Sequence, residues 1–163
     1  MDYRALNKAT VKNKYHVPNT ADLFDRLSKA TYFTTLDLHS GYWQVRIVEG
    51  DKPKTACVTK YGSYEFLVML FGLTNSPATF YNLMNDILYE YLDWFVMVYL
   101  NDIVVYSDSL KSYLKPIRVV FSRLRKYQLY VKKEKCELCC QYIMLFGEER
   151  QDTHRWEEGS SHP

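Results

Sequence analysis

Residues 96 to 107 read Val-Met-Val-Tyr-Leu-Asn-Asp-Ile-Val-Val-Tyr-Ser, two runs of β-branched and aromatic residues on either side of one polar pair, Asn101-Asp102. Runs of that composition, interrupted by two polar residues, specify a tight β-hairpin with the pair at its tip. Asn and Asp tolerate the positive φ of such a turn, but a glycine in second place does so with less strain. The carboxylate of Asp102 therefore has a chemical reading beside the plain one of a solvated turn.

A second carboxylate has a comparable setting. Residues 32 to 38, Tyr-Phe-Thr-Thr-Leu-Asp-Leu, read as a strand in which Asp37 stands between two leucines. A charge buried there without a partner or a cation is costly. Two carboxylates converging from separate strand ends form a hard-oxygen site suited to Mg²⁺, which keeps several waters and takes further ligands from substrate phosphates. Phosphoryl and nucleotidyl transfer use that arrangement.

Three stretches then follow one another in order: Asp37-Leu38-His39-Ser40-Gly41-Tyr42, Phe71-Gly72-Leu73-Thr74-Asn75-Ser76-Pro77-Ala78-Thr79-Phe80, and Tyr99-Leu100-Asn101-Asp102. They closely resemble successive motifs of reverse transcriptases, specifically those of gypsy-class long-terminal-repeat retroelements. The opening Asp2-Tyr3-Arg4-Ala5-Leu6-Asn7-Lys8 resembles the fingers segment that precedes them. Four motifs in register over residues 1 to 147 are a strong signal where one would be weak.

The resemblance implies an α+β fold, a polymerase palm with partial fingers. Its core would be a ferredoxin-like split β-α-β antiparallel sheet, with helices on one face and the carboxylates at strand ends on the other. It also implies an RNA-directed DNA polymerase that takes an RNA template and DNA primer, or their hybrid, and deoxynucleoside triphosphates. Asp37 and Asp102 would be catalytic and would hold two Mg²⁺ ions, with Leu38 and Asn101 contributing at the metal. Tyr42 would reject a ribose 2′-hydroxyl, and Phe71 and Gly72 would position the nucleotide. Lys135 resembles the lysine that protonates the departing pyrophosphate.

The hairpin tip departs from the family. Two aspartates belong there, and Asn101 takes the first place. Each negative ligand offsets repulsion between two cations about 3.5–4 Å apart, and Asn brings an oxygen without charge. Activity is therefore expected to be weak or absent. The chain also reads as starting inside a larger polymerase and as lacking a thumb.

Charge suggests a second reading. The net charge of +2 is unevenly spread: residues 111 to 135 hold nine basic side chains and one acidic. Lys111, Arg118, Arg123, Arg125, Lys126, Lys132 and Lys133 can follow a phosphate backbone with salt-sensitive affinity, whereas the plain reading is a solvated helix face. A non-catalytic nucleic-acid-binding remnant using this segment is the alternative function, and an unselected relic is a third. With 47% hydrophobic and 25% charged residues the chain is globular, not disordered. No apolar run reaches the roughly 20 residues of a membrane span, and no signal assigns a compartment, be it cytoplasm or, for an organelle-encoded chain, mitochondrion. Cys57, Cys136, Cys139 and Cys140 are too few and too clustered for a secreted disulfide scaffold, and read as small apolar side chains more readily than as a zinc site with His154.

Periodicity supplies the remaining elements. Residues 1 to 18 read as loop or extended chain, and Thr20–Leu27 as a short helix opened by a capping hydroxyl. Trp43–Ile47, Lys54–Thr59 and Tyr64–Met69 read as strands, and Ser76–Tyr91 as a helix with a serine cap. Leu114–Tyr127 reads as a helix that starts late or kinks at Pro116, and Leu129–Lys135 as a strand. Ile143–Gly147 resembles the start of a primer-grip strand pair. Residues 148–163 are expected to form a disordered, diverged tail beyond the palm and fingers of residues 1–147.

Overall fold

A computed structural model of the chain describes residues 2–15, 19–38, 40–99, 101–141, 144–145 and 148–149. Its central feature is the hairpin of Val96–Tyr99 (β4) and Asp102–Ser107 (β5), antiparallel with Tyr99 opposite Asp102. Asp102 is therefore the first residue of a strand, not half of the turn that the polar pair suggests. Burial on both faces explains the shift. Ile103 and Val105 belong to one apolar cluster, Val104 and Tyr106 to another. Those side chains, rather than turn chemistry, fix the register.

Tyr32–Asp37 (β1) lies against β5, and Glu137–Cys140 (β6) lies beyond it, giving an antiparallel sheet of order β4-β5-β1-β6. Phe80, Met84 and Leu88 of Ser76–Leu88 (α3), with Val120 and Leu124 of Leu110–Lys126 (α4), cover the face that carries Leu36, Val98, Ile103 and Val105. The opposite face is covered as well. Leu23 and Leu27 of Thr20–Leu27 (α2) pack on Phe33, Met97, Val104 and Tyr106. Helices thus occupy both faces, not one, because the three strands β4, β5 and β1 are apolar on both sides. Burying a large apolar side chain contributes about 1.5–3 kcal/mol, so a bare second face would forfeit several such terms.

Elsewhere the local structure corrects the periodicity. Residues Arg4–Ala9 form a helix (α1) where loop or extended chain is expected, held by side-chain hydrogen bonds to a distant loop rather than by an apolar face. Helix α2 is capped by Asn19, whose side chain accepts from the Ala21 N–H at 3.2 Å. Ser76 does not cap α3; its hydroxyl donates to the Leu70 carbonyl at 2.9 Å, and Pro77 sits in the first turn as expected. Helix α4 begins at Leu110, four residues before the expected start, with Pro116 inside it. Ser109 caps it, and Asp108, Ser109 and Ser112 share hydroxyl and carboxylate bonds at that end. This network holds the early start against the donor lost at proline.

Around residue 41 a left-handed Ser40, φ 50°, turns the chain into a 3₁₀ segment, Gly41–Gln44, in place of the expected strand start. Pairing resumes when Ile47 N–H donates to Leu67 and Met69 N–H to Val45. A second 3₁₀ segment spans Glu49–Thr55, and the small hairpin Cys57–Thr59 (β2) and Gly62–Tyr64 (β3) turns at residues 60–61. The expected strand at 129–135 is instead an isolated bridge at Val131 and a 3₁₀ turn, Lys133–Lys135. Met144–Leu145 (β7) pairs with Glu148–Glu149 (β8). The rest of the primer-grip segment, the tail from 150 and His154 lie outside the described residues, as do His39 and Leu100 of the quoted motifs. Among the described residues no helix is long and apolar enough to cross a membrane.

Candidate active site

Strand alternation determines where the carboxylates point. Phe33 and Asp37 share one face of β1, and Val104, Tyr106 and Asp102 share the same face of β5. Asp37 is the last residue of β1 and Asp102 the first of β5, and the register sets them directly opposite each other. Opposed residues of antiparallel strands have Cα atoms about 4.5–5.5 Å apart, with side chains side by side. The two carboxylates, 65 positions apart in sequence, therefore meet at one end of the sheet on the face that α2 covers.

Their environment is electrostatically uneven. Burial, and after it the neighbouring charge of Asp37, raises the Asp102 carboxyl above the usual carboxylate value, while Lys135 opposes the shift. Lys135 Nζ lies 3.4 Å from Asp37 Oδ2. The backbone reinforces this corner: the Lys132 N–H donates to the Asp37 carbonyl at 2.8 Å, and the Cys136 thiol donates to the Lys132 carbonyl at 3.2 Å. Burial first of all raises the Cys136 thiol as well.

Beside Asp37 opens a cleft of about 250 Å³ that includes Ser40, Tyr42, Phe71, Asn101, Lys132 and Lys135. Tyr42 is buried, its ring 4.8 Å from Phe71 and 5.5 Å, edge-on, from Phe80. Gly41 makes that packing feasible, since a Cβ there would come within 3.0 Å of the Phe80 ring. Phe71 is exposed and packs edge-on to Trp43, forming an aromatic rim. Gly72 is required by its left-handed φ of +89°, not by crowding within the chain. Among the described residues the Leu38 carbonyl accepts only from the Gly41 N–H, at 3.1 Å, and a carbonyl oxygen has two lone pairs.

The basic run divides. Lys132 and Lys135 enter the cleft and Lys133 stands exposed between them. Lys111, Arg118, Arg125 and Lys126 lie on α4, which packs against the other face of the sheet. Arg123 is engaged structurally: it pairs with Glu90, donates to the Tyr91 hydroxyl at 3.3 Å and sits over the Tyr91 ring. Two residues without an expected role also shape the site. Asn7 donates to the Gly72 carbonyl at 2.7 Å and accepts from the Thr74 N–H at 2.9 Å, and Gln44 clamps the Tyr130 backbone. Only the motif likeness around Asn7 hinted at such a part; Gln44 bonds 86 positions away, beyond any local signal.

A four-stranded antiparallel sheet packed against helices, with two carboxylates opposed at one end, is consistent with the palm of a nucleic-acid polymerase. The model of the family "Reverse transcriptase (RNA-dependent DNA polymerase)" matches residues 1–157, and the chain belongs to that family. An RNA-directed DNA polymerase homolog of Oenothera berteroana is 67% identical over 123 residues, which are 74% of this chain and 87% of that protein. The Pol polyprotein of transposon 297 of Drosophila melanogaster is 44% identical over 137 residues, 84% of this chain but 13% of the polyprotein. Among solved structures, a foamy viral protease-reverse transcriptase in complex with double-stranded DNA superposes with a TM-score of 0.80 at 25% identity, covering 91% of this chain and 26% of that one.

Polymerases of this family use divalent metal ions. Among the described residues no group of three or more His, Cys, Asp or Glu side chains is gathered for a metal. What the described residues supply is two opposed carboxylates and the Leu38 carbonyl oxygen. That donor set fits one hydrated Mg²⁺, which is commonly held by one or two carboxylates plus substrate phosphates. Bound there, the ion would lower the barrier to phosphoryl transfer by neutralising charge on phosphate oxygens. The neutral Asn101, next to Asp102 in sequence, lines the same cleft and adds no charge to the set.

Proposed function

We propose that this chain is the palm and partial fingers of a reverse transcriptase of the gypsy class of long-terminal-repeat retroelements, weakly active or inactive in polymerisation. The opposition of Asp37 and Asp102, with neutral Asn101 immediately before the second, carries this reading. Its partners are an RNA template with a DNA primer, or their hybrid, and deoxynucleoside triphosphates. Asp37 and Asp102 hold Mg²⁺, Tyr42 backs the sugar against the Phe71 rim, and Gly72 presents backbone to the nucleotide. Lys135, within reach of Asp37, supplies the proton to the leaving pyrophosphate.

Loss of one negative ligand weakens transition-state stabilisation by about 3–5 kcal/mol, which lowers the rate by roughly 10²–10⁴. Primer extension on an RNA template tests this. The Asn101→Asp variant is expected to recover activity by that factor, and Asp102→Asn in the same background to abolish it. A folded Asn101→Asp protein that extends no faster than the parent rejects the reading.

One observation favours a second reading, a nucleic-acid-binding protein without catalysis. Most of the α4 cations stand on the sheet face away from the carboxylates, where they serve no step of polymerisation. Binding to an RNA–DNA duplex that falls steeply with salt, in a protein that Asn101→Asp leaves inert, is the expected outcome under that reading.

A further inference from the structure

Residues 118, 121, 122 and 125 follow the i, i+3, i+4, i+7 spacing that lines one flank of a helix. On α4 they are Arg118, Phe121, Ser122 and Arg125, and they form one wall of a groove of about 610 Å³, within the range of small-ligand sites. The second wall exists because of how α4 ends. Gln128 takes a left-handed φ of 56°, its N–H donates to the Arg125 carbonyl and the Leu129 N–H to the Leu124 carbonyl. This glycine-type helix stop, made here with glutamine, folds the chain back alongside the helix. Gln44 then fixes the returning segment from both sides: the Tyr130 N–H donates to its Oε1 at 2.7 Å, and its Nε2 donates to the Tyr130 carbonyl at 2.9 Å.

The lining has a distinct chemistry. Among the described residues Arg118 and Arg125 have no ion-pair partner, and none of those residues that line the groove is acidic. Phe121 and Tyr130 are 36% and 68% exposed, so their rings are open to solvent beside those guanidinium groups. Leu124, Leu129 and Val131 complete the lining. Cations that track phosphates, next to open aromatic rings on which bases stack, are the recognition elements for single strands rather than duplexes. In a duplex the base faces are already stacked and out of reach. The groove is separate from the carboxylate cleft: Val131 lines the one and Lys132 the other.

We infer that this groove is a binding site for single-stranded nucleic acid, acting independently of polymerisation. Arg118 and Arg125 hold successive phosphates, and Phe121 and Tyr130 stack the intervening bases. The site goes beyond the polymerase reading, since it requires neither metal nor nucleotide triphosphate; it rests on the second, non-catalytic reading and narrows its ligand from a duplex to a single strand.

Fluorescence anisotropy of the full chain with a labelled single-stranded oligonucleotide, in chelator to exclude the metal site, tests it. Replacing Arg118 and Arg125 together by alanine is expected to weaken binding about tenfold or more. It should also reduce the slope of log K against log salt by about 1.4, two phosphate contacts at about 0.7 each. Tyr130→Ala is expected to weaken binding severalfold with the salt slope kept, and Tyr130→Trp to restore it. Lys111→Ala with Lys126→Ala removes equal charge from the same helix outside the groove, and should have a smaller effect. All these positions are exposed, and unchanged circular dichroism melting verifies the fold. Equal losses in the two double variants, or an unaltered salt slope, overturn the proposal. So does an equal loss in Lys132→Ala with Lys135→Ala, the cations of the carboxylate cleft, which would move the strand to the cleft and leave the polymerase reading standing.

Discussion

Asp102 illustrates how a site can oppose the fold that holds it. Burial and the adjacent Asp37 raise its carboxyl above the usual value of 3.8, with Lys135 in partial opposition. A carboxyl that binds its proton more tightly when folded contributes full stability below its unfolded value, and loses that contribution as pH rises through the folded one. At neutral pH the ionised group therefore weakens the structure. In chelator at pH 7, Asp102→Asn is expected to raise Tm by about 2–4 °C, the shift that about 1 kcal/mol produces in a chain of this size. The gain should shrink as pH falls through the raised value of the native carboxyl, which then takes up its proton. A lower Tm at pH 7, or a gain indifferent to acid, would contradict the repulsive pairing. Lys135 acts on the same corner from the other side, since its ammonium lies 3.4 Å from Asp37 Oδ2, where a cation would bind. The pair is partly exposed, so its strength is about 0.2–1 kcal/mol. Lys135→Gln should accordingly tighten Mn²⁺ binding, followed by electron paramagnetic resonance, by up to about fivefold. Unchanged affinity would mean that the lysine does not compete with the ion.

At the scale of elements, β6 is attached to β1 through an irregularity. The register of the two strands shifts between Phe33 and Thr35, and Cys139 in β6 has a φ of 56°. A displaced strand residue leaves its amide without a ladder partner. Tyr113 of α4 supplies one: its hydroxyl accepts from the Cys139 N–H at 2.8 Å and shares a hydrogen bond with the buried Thr34 hydroxyl. One side chain thus joins α4, β1 and β6. Tyr113→Phe keeps the ring and strips these bonds, and is expected to destabilise the fold by about 1–3 kcal/mol in urea unfolding. Exchange at the Cys139 amide should accelerate with it; protection that persists would show that the Thr34 hydroxyl, 3.3 Å away, suffices. The strands and helices that are legible in the sequence are those whose apolar residues repeat: β1, the β4–β5 hairpin, α2, α3 and the body of α4. The start of α4 is obscured because Pro116 argues for a later one, while the cap at Ser109 lies in a polar stretch without apolar period. Likewise, nothing in Leu129–Lys135 shows that Lys132 will bond to Asp37 and break the expected strand into a bridge and a 3₁₀ turn.

Across the whole molecule, the sheet is a rigid divider with the carboxylates on one side and most of the α4 cations on the other. The opposition of Asp37 and Asp102 is legible in advance because each ends an apolar strand and the motifs follow in family order. The division of the basic run is not, since charge counted along the chain carries no information about which sheet face a helix covers. The N-terminal segment was hidden for a similar reason. Helix α1 has no buried residue, so no period marks it. It is held by amide side chains reaching more than 60 positions away. Asn7 bonds to Gly72 and Thr74, and Asn75 answers by donating to the Val11 carbonyl and accepting from the Asn13 N–H. Four polar bonds with little apolar burial behind them make a low-stability unit, distinct from the two apolar clusters of the palm. Asn7→Ala removes two of the four, and net values of about 0.5–1.5 kcal/mol each imply that amides of residues 4–9 exchange about tenfold faster or more. The amides of β1 and β5 should keep their protection, because neither strand leans on α1. Hydrogen exchange read by mass spectrometry separates the cases: equal acceleration in β5 would show that the N-terminal segment and the palm open as one unit. Confined acceleration would show that the loop beside the carboxylate cleft is tethered to a part that can detach while the carboxylates stay in register.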